Sequence, residues 1–193
     1  MLEVRGFHNF INPSFSIVSG GRFVVKILLI IAPENFRDEE LLHTKQELER
    51  AGLQTVIASS RTGEARGKLG ARVNVDLKLE QVKVDDYDGV VFVGGPGSAM
   101  YFDDKQAHLI ARETFSKGKA TCAICIAPVI LANAGVLKGK RATVWNGEYV
   151  GKLESGGATY TGSSVEVDGK VITANGPTAA RDFGRAIAKA LKG

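Results

Sequence analysis

The chain is poor in cysteine, histidine and proline. It has two cysteines, three histidines and five prolines in 193 residues. Two cysteines do not make a disulfide framework, which favours a reducing, cytoplasmic location. A zinc site is disfavoured, because there is no third cysteine and His8, His43 and His108 lie in unrelated segments. We therefore predict no bound metal.

Charge of one sign and long apolar runs are also lacking. The 25 Lys and Arg residues are scattered among 21 acidic ones, which indicates a solvated surface rather than a nucleic-acid groove. The apolar run at 24–32 is far shorter than the roughly 20 residues of a membrane span. The turn Gly95-Pro96-Gly97 fails the dinucleotide fingerprint, because that pattern needs glycine where Met100 stands. We predict no nucleic acid, membrane or cofactor as a partner.

Strand patterns alternate with helix patterns along most of the chain. Buried-strand patterns occur at 23–32, 53–58 and 88–93. Helical patterns occur at 38–51, 105–117 and 178–191. This alternation predicts an α/β fold, a three-layer sandwich with a mainly parallel sheet and helices on both faces. Asp38 is predicted to cap the first helix, Gly52 to end it, and residues 60–70 to form a loop. The next helix is predicted to turn Leu109, Ile110 and Phe115 inward.

Residues 1–22 differ from the rest and lack the features of a signal peptide. We predict an N-terminal extension over 1–22, either an added strand or a loose segment, and a single domain over 23–193. Gly20-Gly21 marks the predicted joint.

Cys125 lies where a predicted strand ends and a predicted helix begins. Pro128 falls in the first turn of that helix, where a missing N–H is tolerated. Free N–H groups and the helix dipole at such an elbow are expected to lower a thiol pKa and make it a nucleophile. The alternative is a small buried apolar residue. Cys122 lies roughly 10 Å away along the strand, beyond disulfide reach, and is predicted to be core.

Five further residues are expected near Cys125, because the carboxyl ends of parallel strands share one edge of the sheet. Glu40 is predicted to hydrogen-bond the sulfur. The alternative is that the helix dipole alone favours an acidic residue at this helix start. Gly95 and Ile126 would supply the N–H groups of an oxyanion hole, the alternative for Gly95 being a tight turn. Gly94 is assigned to the pocket, as is Trp145, for which a core position is the alternative.

Five motifs stand in one order along the chain: Phe36-x-Asp38-x-Glu40-Leu41, Gly94-Gly95, Ala123-Ile124-Cys125-x-x-Pro128, Ala134-Gly135-Val136-Leu137 and Ala174-Asn175-Gly176-Pro177. Together they resemble the ThiJ/PfpI superfamily, which includes the intracellular protease PfpI and the parkinsonism-associated protein deglycase. The resemblance covers about 26–191. It implies a flavodoxin-like, class I glutamine amidotransferase-like sandwich that forms a homodimer or higher homo-oligomer. It also implies Cys125 as nucleophile, Glu40 as its partner, and Gly95 and Ile126 as the oxyanion hole.

The chain departs from this family at its histidines. In the protease branch a histidine directly follows the cysteine, where this chain has Ile126. In the deglycase branch a histidine comes from the next strand, where the nearest match is Trp145. Acyl transfer by a cysteine normally needs such a base, so efficient proteolysis is not expected. A cysteine-dependent hydrolase or glyoxalase/deglycase acting on a small carbonyl or peptide substrate is the first hypothesis. The alternatives are a non-catalytic, redox-responsive stress protein and an inert structural role.

Overall fold

The computed structural model describes residues 17–18 and 22–192. Numbered along the chain, the strands are β1 (Ile17–Val18), β2 (Arg22–Phe23), β3 (Lys26–Ile30), β4 (Glu34–Phe36), β5 (Gln54–Ser59), β6 (Gly63–Gly67), β7 (Arg72–Val75), β8 (Leu77–Lys78), β9 (Gly89–Phe92), β10 (Ala120–Ile124), β11 (Arg141–Ala142), β12 (Thr159–Tyr160), β13 (Val165–Asp168) and β14 (Val171–Ala174). The helices are α1 (Asp38–Arg50), α2 (Lys105–Ser116), α3 (Pro128–Asn133), α4 (Glu148–Ser155) and α5 (Ala180–Lys192).

Seven strands form the central sheet, in the order β13-β14-β10-β9-β3-β5-β8. All neighbours in it are parallel except β13 and β14, which are antiparallel. Ile27 and Leu29 of β3 pack on the side of α1 and α5, and Leu28 and Ile30 pack on the side of α2 and α3. A strand buried on both faces must be apolar throughout, which explains its continuous hydrophobic sequence. The predicted three-layer sandwich is confirmed.

The prediction of a loop over 60–70 is wrong. Strand β6 lies inside that range and joins β4 and β7 in a separate three-stranded sheet. Only Ala65 of β6 is buried, while Glu64 and Arg66 face solvent. An exposed strand of glycines and charged residues has no hydrophobic pattern by which to recognise it. The first central strand also begins later than predicted, at Lys26 rather than at residue 23.

The inward face of α2 was only partly predicted. Ile110 is buried, but Leu109 and Phe115 are 48% and 40% exposed. Ala107, Ala111 and Thr114 complete the buried face. Small side chains let this helix lie close to the sheet, and a pattern read from large apolar residues alone misses them.

The start of α1 corrects a further prediction. Arg37, not Asp38, occupies the N-cap position, and no side chain caps the helix. The Asp38 carboxylate instead accepts the N–H groups of Leu69 at 2.8 Å and Ala71 at 2.7 Å. It therefore fixes the turn between β6 and β7 against the start of α1. Gly52 follows the helix with φ +81°, as predicted for its stop.

The predicted N-terminal extension lies largely outside the described residues. Strands β1 and β2 pair antiparallel, with Ile17 opposite Phe23, so this pair straddles the predicted boundary at residue 22. The separate extension stays a prediction. No helix in the described part of the chain is long and apolar enough to cross a membrane.

Candidate active site

Cys125 forms a sharp elbow between β10 and α3. Its φ of +64° lies in the left-handed region, which a non-glycine residue occupies at a cost of about 1 kcal/mol or more. Its N–H donates to the carbonyl of Ala174 at 2.9 Å, and its carbonyl accepts the N–H of Trp145 at 2.8 Å. Pro128 is the first residue of α3, as predicted. Backbone contacts on both sides thus hold the strained residue in place.

A pocket of about 240 Å³ opens above Cys125. It lies at the carboxyl ends of the central strands, the edge where ligands bind in open α/β sheets. Its walls contain the predicted residues Cys125, Glu40, Gly95, Ile126 and Trp145, and also Arg37, Lys68, Pro96, Tyr149 and Pro177. Gly94 is buried beneath the pocket rather than on its wall. A Cβ at Gly94 would lie 2.6 Å from both the Cys125 Cβ and the Glu40 Oε2. Only glycine therefore lets these two side chains lie side by side.

Glu40 is fully buried at the base of the pocket. Its Oε2 accepts the N–H of Gly94 at 3.0 Å. Its Oε1 has no hydrogen-bond partner of standard geometry among the described residues, although the Cys125 thiol is close enough to lower the Glu40 pKa by hydrogen bonding. Burial outweighs both contacts and raises the pKa of Glu40 to about 7. The carboxyl is thus poised to take up or release a proton near neutral pH.

The Cys125 thiol differs from the sequence-based prediction. Burial, and then the negative charge of Glu40, raise the pKa of Cys125 to about 12. The N–H groups of Gly95 and Ile126 donate toward the sulfur and lower that pKa, but by less. The prediction of a lowered pKa is therefore wrong for the resting protein. The elbow exists, but burial of the sulfur and then the carboxylate next to it outweigh the N–H groups and the dipole of a short helix.

Gly95 brings its backbone close to Cys125. Its φ is +95°, and a Cβ there would overlap the backbone N of Arg37. The N–H of Gly95 and that of Ile126 converge on the sulfur. Two N–H groups beside a nucleophile are also placed to hold an oxygen that gains negative charge when the nucleophile adds to a carbonyl.

Trp145 lies on the pocket wall and is 47% exposed. A Cβ at Gly176 would lie 2.7 Å from the indole ring, so the ring rests on that glycine. Of the two interpretations of Trp145 made from the sequence, the pocket wall agrees with the structure and the core position does not.

Sequence reasoning missed five pocket residues, of which three, Arg37, Lys68 and Tyr149, carry polar side chains. The Tyr149 ring packs edge to face on Phe102 at 6.2 Å between centroids, and burial raises its pKa. Lys68 comes from the turn that Asp38 holds in place. A charged residue in a polar segment gives no periodic signal, so only the fold could bring these residues to the pocket.

The model of the DJ-1/PfpI family matches residues 25–190. The chain belongs to the DJ-1/PfpI family. An uncharacterized protein of Methanocaldococcus jannaschii is 42% identical over 86% of this chain and 82% of its own length. A protein of Pyrococcus abyssi named deglycase is 34% identical over 86% of this chain and 99% of its own. The crystal structure of a ThiJ/PfpI domain protein from Brachyspira murdochii superposes with a TM-score of 0.85, at 34% identity, over 88% of this chain and 97% of that one.

Within this DJ-1/PfpI fold, the described residues place no histidine on the pocket wall. His108 lies on α2, where its Nε2 is 2.8 Å from the carbonyl of Phe102. His43 lies on α1. Cys122 is fully buried, and burial raises its pKa, in line with its predicted core position. The described residues contain no group of three or more His, Cys, Asp or Glu side chains arranged to hold a metal.

Proposed function

We propose that this protein is a cysteine-dependent enzyme of the glyoxalase/deglycase type that acts on small reactive carbonyl compounds. The observation that carries the proposal is the buried pair of Cys125 and Glu40, with one carboxyl oxygen left without a regular partner. A carboxyl with a pKa of about 7 is well matched to general acid–base work at neutral pH. The relative from Pyrococcus abyssi that is named deglycase supports the same chemistry.

In the first step, Glu40 takes the thiol proton as Cys125 attacks an aldehyde carbon. The carbon–sulfur bond forms while the carbonyl π electrons move to oxygen, which the N–H groups of Gly95 and Ile126 hold. Glu40 returns the proton to that oxygen and leaves a hemithioacetal. With methylglyoxal, Glu40 then moves the proton of C1 to C2 while the hydroxyl proton on the C1 oxygen passes to the C2 oxygen, which gives a lactoyl thioester. Water hydrolyses this thioester to lactate and restores the Cys125 thiol. The net reaction adds one water and needs no oxidant.

The pocket favours a small carbonyl compound over a peptide. A volume of about 240 Å³ holds about eight water-sized groups at about 30 Å³ each, and a large indole restricts one wall. Peptide cleavage also requires a general acid to protonate the leaving amine, a step that a histidine performs in cysteine proteases. No histidine lines the described pocket, so peptidase activity is the weaker hypothesis.

The raised thiol pKa also weighs against the redox-responsive alternative. Peroxide oxidises the thiolate, not the thiol, and burial together with Glu40 keeps Cys125 protonated in the resting protein. An enzyme is less affected, because Glu40 can remove the proton as the carbon–sulfur bond forms.

The test is consumption of methylglyoxal and release of lactate by the wild-type protein, by Cys125→Ser and by Cys122→Ser. We expect turnover in the wild type and in Cys122→Ser, because Cys122 is in the core, and none in Cys125→Ser. Equal rates in the wild type and Cys125→Ser would refute the proposal. Slow oxidation of Cys125 by dilute peroxide, compared with a free thiol, would argue further against the sensor.

A further inference from the structure

One side of the pocket carries two cations, Arg37 and Lys68. Ile126, Trp145 and Tyr149 also line the pocket, and none of them is charged. Neither cation is needed for the addition step described above, which uses Cys125, Glu40 and two backbone N–H groups. Their presence next to the nucleophile therefore calls for a separate explanation.

Lys68 is available to a ligand. Its side chain is exposed and forms no ion pair with an acidic residue in the described part of the chain. Its backbone is fixed, because its N–H donates to the carbonyl of Phe36 at 2.8 Å. The Asp38 carboxylate holds the following residues, Leu69 and Ala71. An anchored turn thus brings Lys68 to the pocket wall.

Arg37 is positioned differently. Its Nε and one terminal nitrogen bind the two carboxylate oxygens of Glu39, at 2.8 and 3.1 Å. The second terminal nitrogen has no protein partner among the described residues. Its backbone N–H donates to the carbonyl of Gly94 at 3.0 Å, which fixes the start of this side chain close to the nucleophile. Glu39 orients Arg37 and neutralises part of its charge.

A reagent that approaches Cys125 therefore meets the positive charges of Arg37 and Lys68 and the negative charge of Glu39. Compared with a free thiolate in water, these three groups add one net positive charge. At pH 6, where Glu40 with its pKa of about 7 is mostly protonated, Glu40 and a Cys125 thiolate together carry one negative charge, as a free thiolate does, so the alkylation rates described below are measured at that pH. We infer that the pocket selects carbonyl compounds that carry an anionic group, a carboxylate or a phosphate, which Lys68 and Arg37 bind while Cys125 attacks the carbonyl carbon. This inference rests on the proposed function and names its substrate class.

Alkylation of Cys125 tests the inference without any need for turnover. Iodoacetate is anionic and iodoacetamide is neutral, and both form the same bond to sulfur with loss of iodide. The ratio of their two rates cancels the fraction of thiolate, so it reports only how the site treats a charged reagent. Rates measured in Cys125→Ser are subtracted to remove alkylation at other residues. An uncharged cysteine derivative in water gives the reference ratio, which is the ratio in the absence of the protein's charges.

We expect a ratio for Cys125 about three- to tenfold above the reference, which is the effect of one partly solvated charge. Lys68→Gln should bring the ratio close to the reference. Glu39→Gln should raise it further, because it releases the Arg37 guanidinium. Lys170→Gln is the matched control, since this exposed lysine precedes β14 and thus lies at the opposite edge of the sheet. Added salt should reduce the ratio in the wild type.

A ratio at or below the reference would overturn the inference. So would a raised ratio that neither Lys68→Gln nor Glu39→Gln changes. The proposed function fails separately: a protein with the expected ratios that leaves both methylglyoxal and a phosphate-bearing 2-oxoaldehyde intact would contradict the enzyme and support the anion site. A protein that consumes methylglyoxal but shows the reference ratio would contradict the substrate class alone.

Discussion

Replacement of Glu40 by glutamine should move the reactivity of Cys125 and the turnover of the enzyme in opposite directions. The Cys125 Cβ and the Glu40 Oε2 both lie 2.6 Å from the point that a Cβ on Gly94 would occupy, so the two functional groups are neighbours. Two negative charges about 5 Å apart repel by about 3 kcal/mol at an effective dielectric constant of about 20, which is about two pKa units. Glu40→Gln removes this repulsion and should lower the Cys125 pKa from about 12.

At pH 8 the thiolate fraction, and with it the rate of alkylation by iodoacetamide, should therefore rise by about a hundredfold in Glu40→Gln. Methylglyoxal turnover should nevertheless fall by about a hundredfold or more, because the amide cannot carry a proton. The assay is the alkylation rate against pH, measured beside turnover on the same preparations. An unchanged or higher thiol pKa in Glu40→Gln would refute the assignment of Glu40 as the charge that suppresses the thiolate. Undiminished turnover would refute its role as base.

Three further predictions concern stability and the pocket. The Glu40 pKa is raised from 4.5 to about 7, so as the pH rises the unfolded state releases this proton before the folded state does. The free energy of unfolding should therefore fall by about 3 kcal/mol between pH 4.5 and 7. Urea midpoints measured across this range should show that Glu40→Gln lacks this loss. Gly94→Ala should destabilise the protein by about 1–3 kcal/mol through its contacts with Cys125 and Glu40, whereas Gly151→Ala, with no atom within 4 Å of the new Cβ, should not; equal urea midpoints for the two variants would contradict the packing. Trp145→His should raise methylglyoxal kcat about tenfold or more by adding a base, and an unchanged kcat would mean that the missing histidine does not limit the site.

The layered fold could be predicted because buried parallel strands must be apolar on both faces. The segment that became β3 has this pattern, although the strand is shorter at both ends than the predicted 23–32. The three-stranded sheet could not be predicted, because β6 is a strand of glycine and charged residues with one buried side chain, Ala65. Backbone pairing with β4 and β7 stabilises it, and such pairing leaves no mark on the pattern of apolar residues. The prediction for Asp38 was wrong for a related reason. From the sequence alone, an aspartate that caps a helix looks the same as one that binds a distant turn, as Asp38 does.

The geometry of the elbow at Cys125 could be predicted from the sequence, but the pKa of its thiol could not. Cys125, Ile126 and Pro128 belong to one short segment, so their strand–elbow–helix geometry was predicted from their order. The sign of the shift in the thiol pKa was not predicted, because it depends first on how far the sulfur is buried and then on a carboxylate 85 positions earlier in the chain. The dipole of a short helix has a modest effect near solvent, whereas burial and a neighbouring carboxylate raise the pKa of Cys125 to about 12. The chemistry of this elbow is therefore set by burial together with Glu40: beside a neutral residue Cys125 would form a thiolate more readily, but burial would still hold its pKa above the ordinary value.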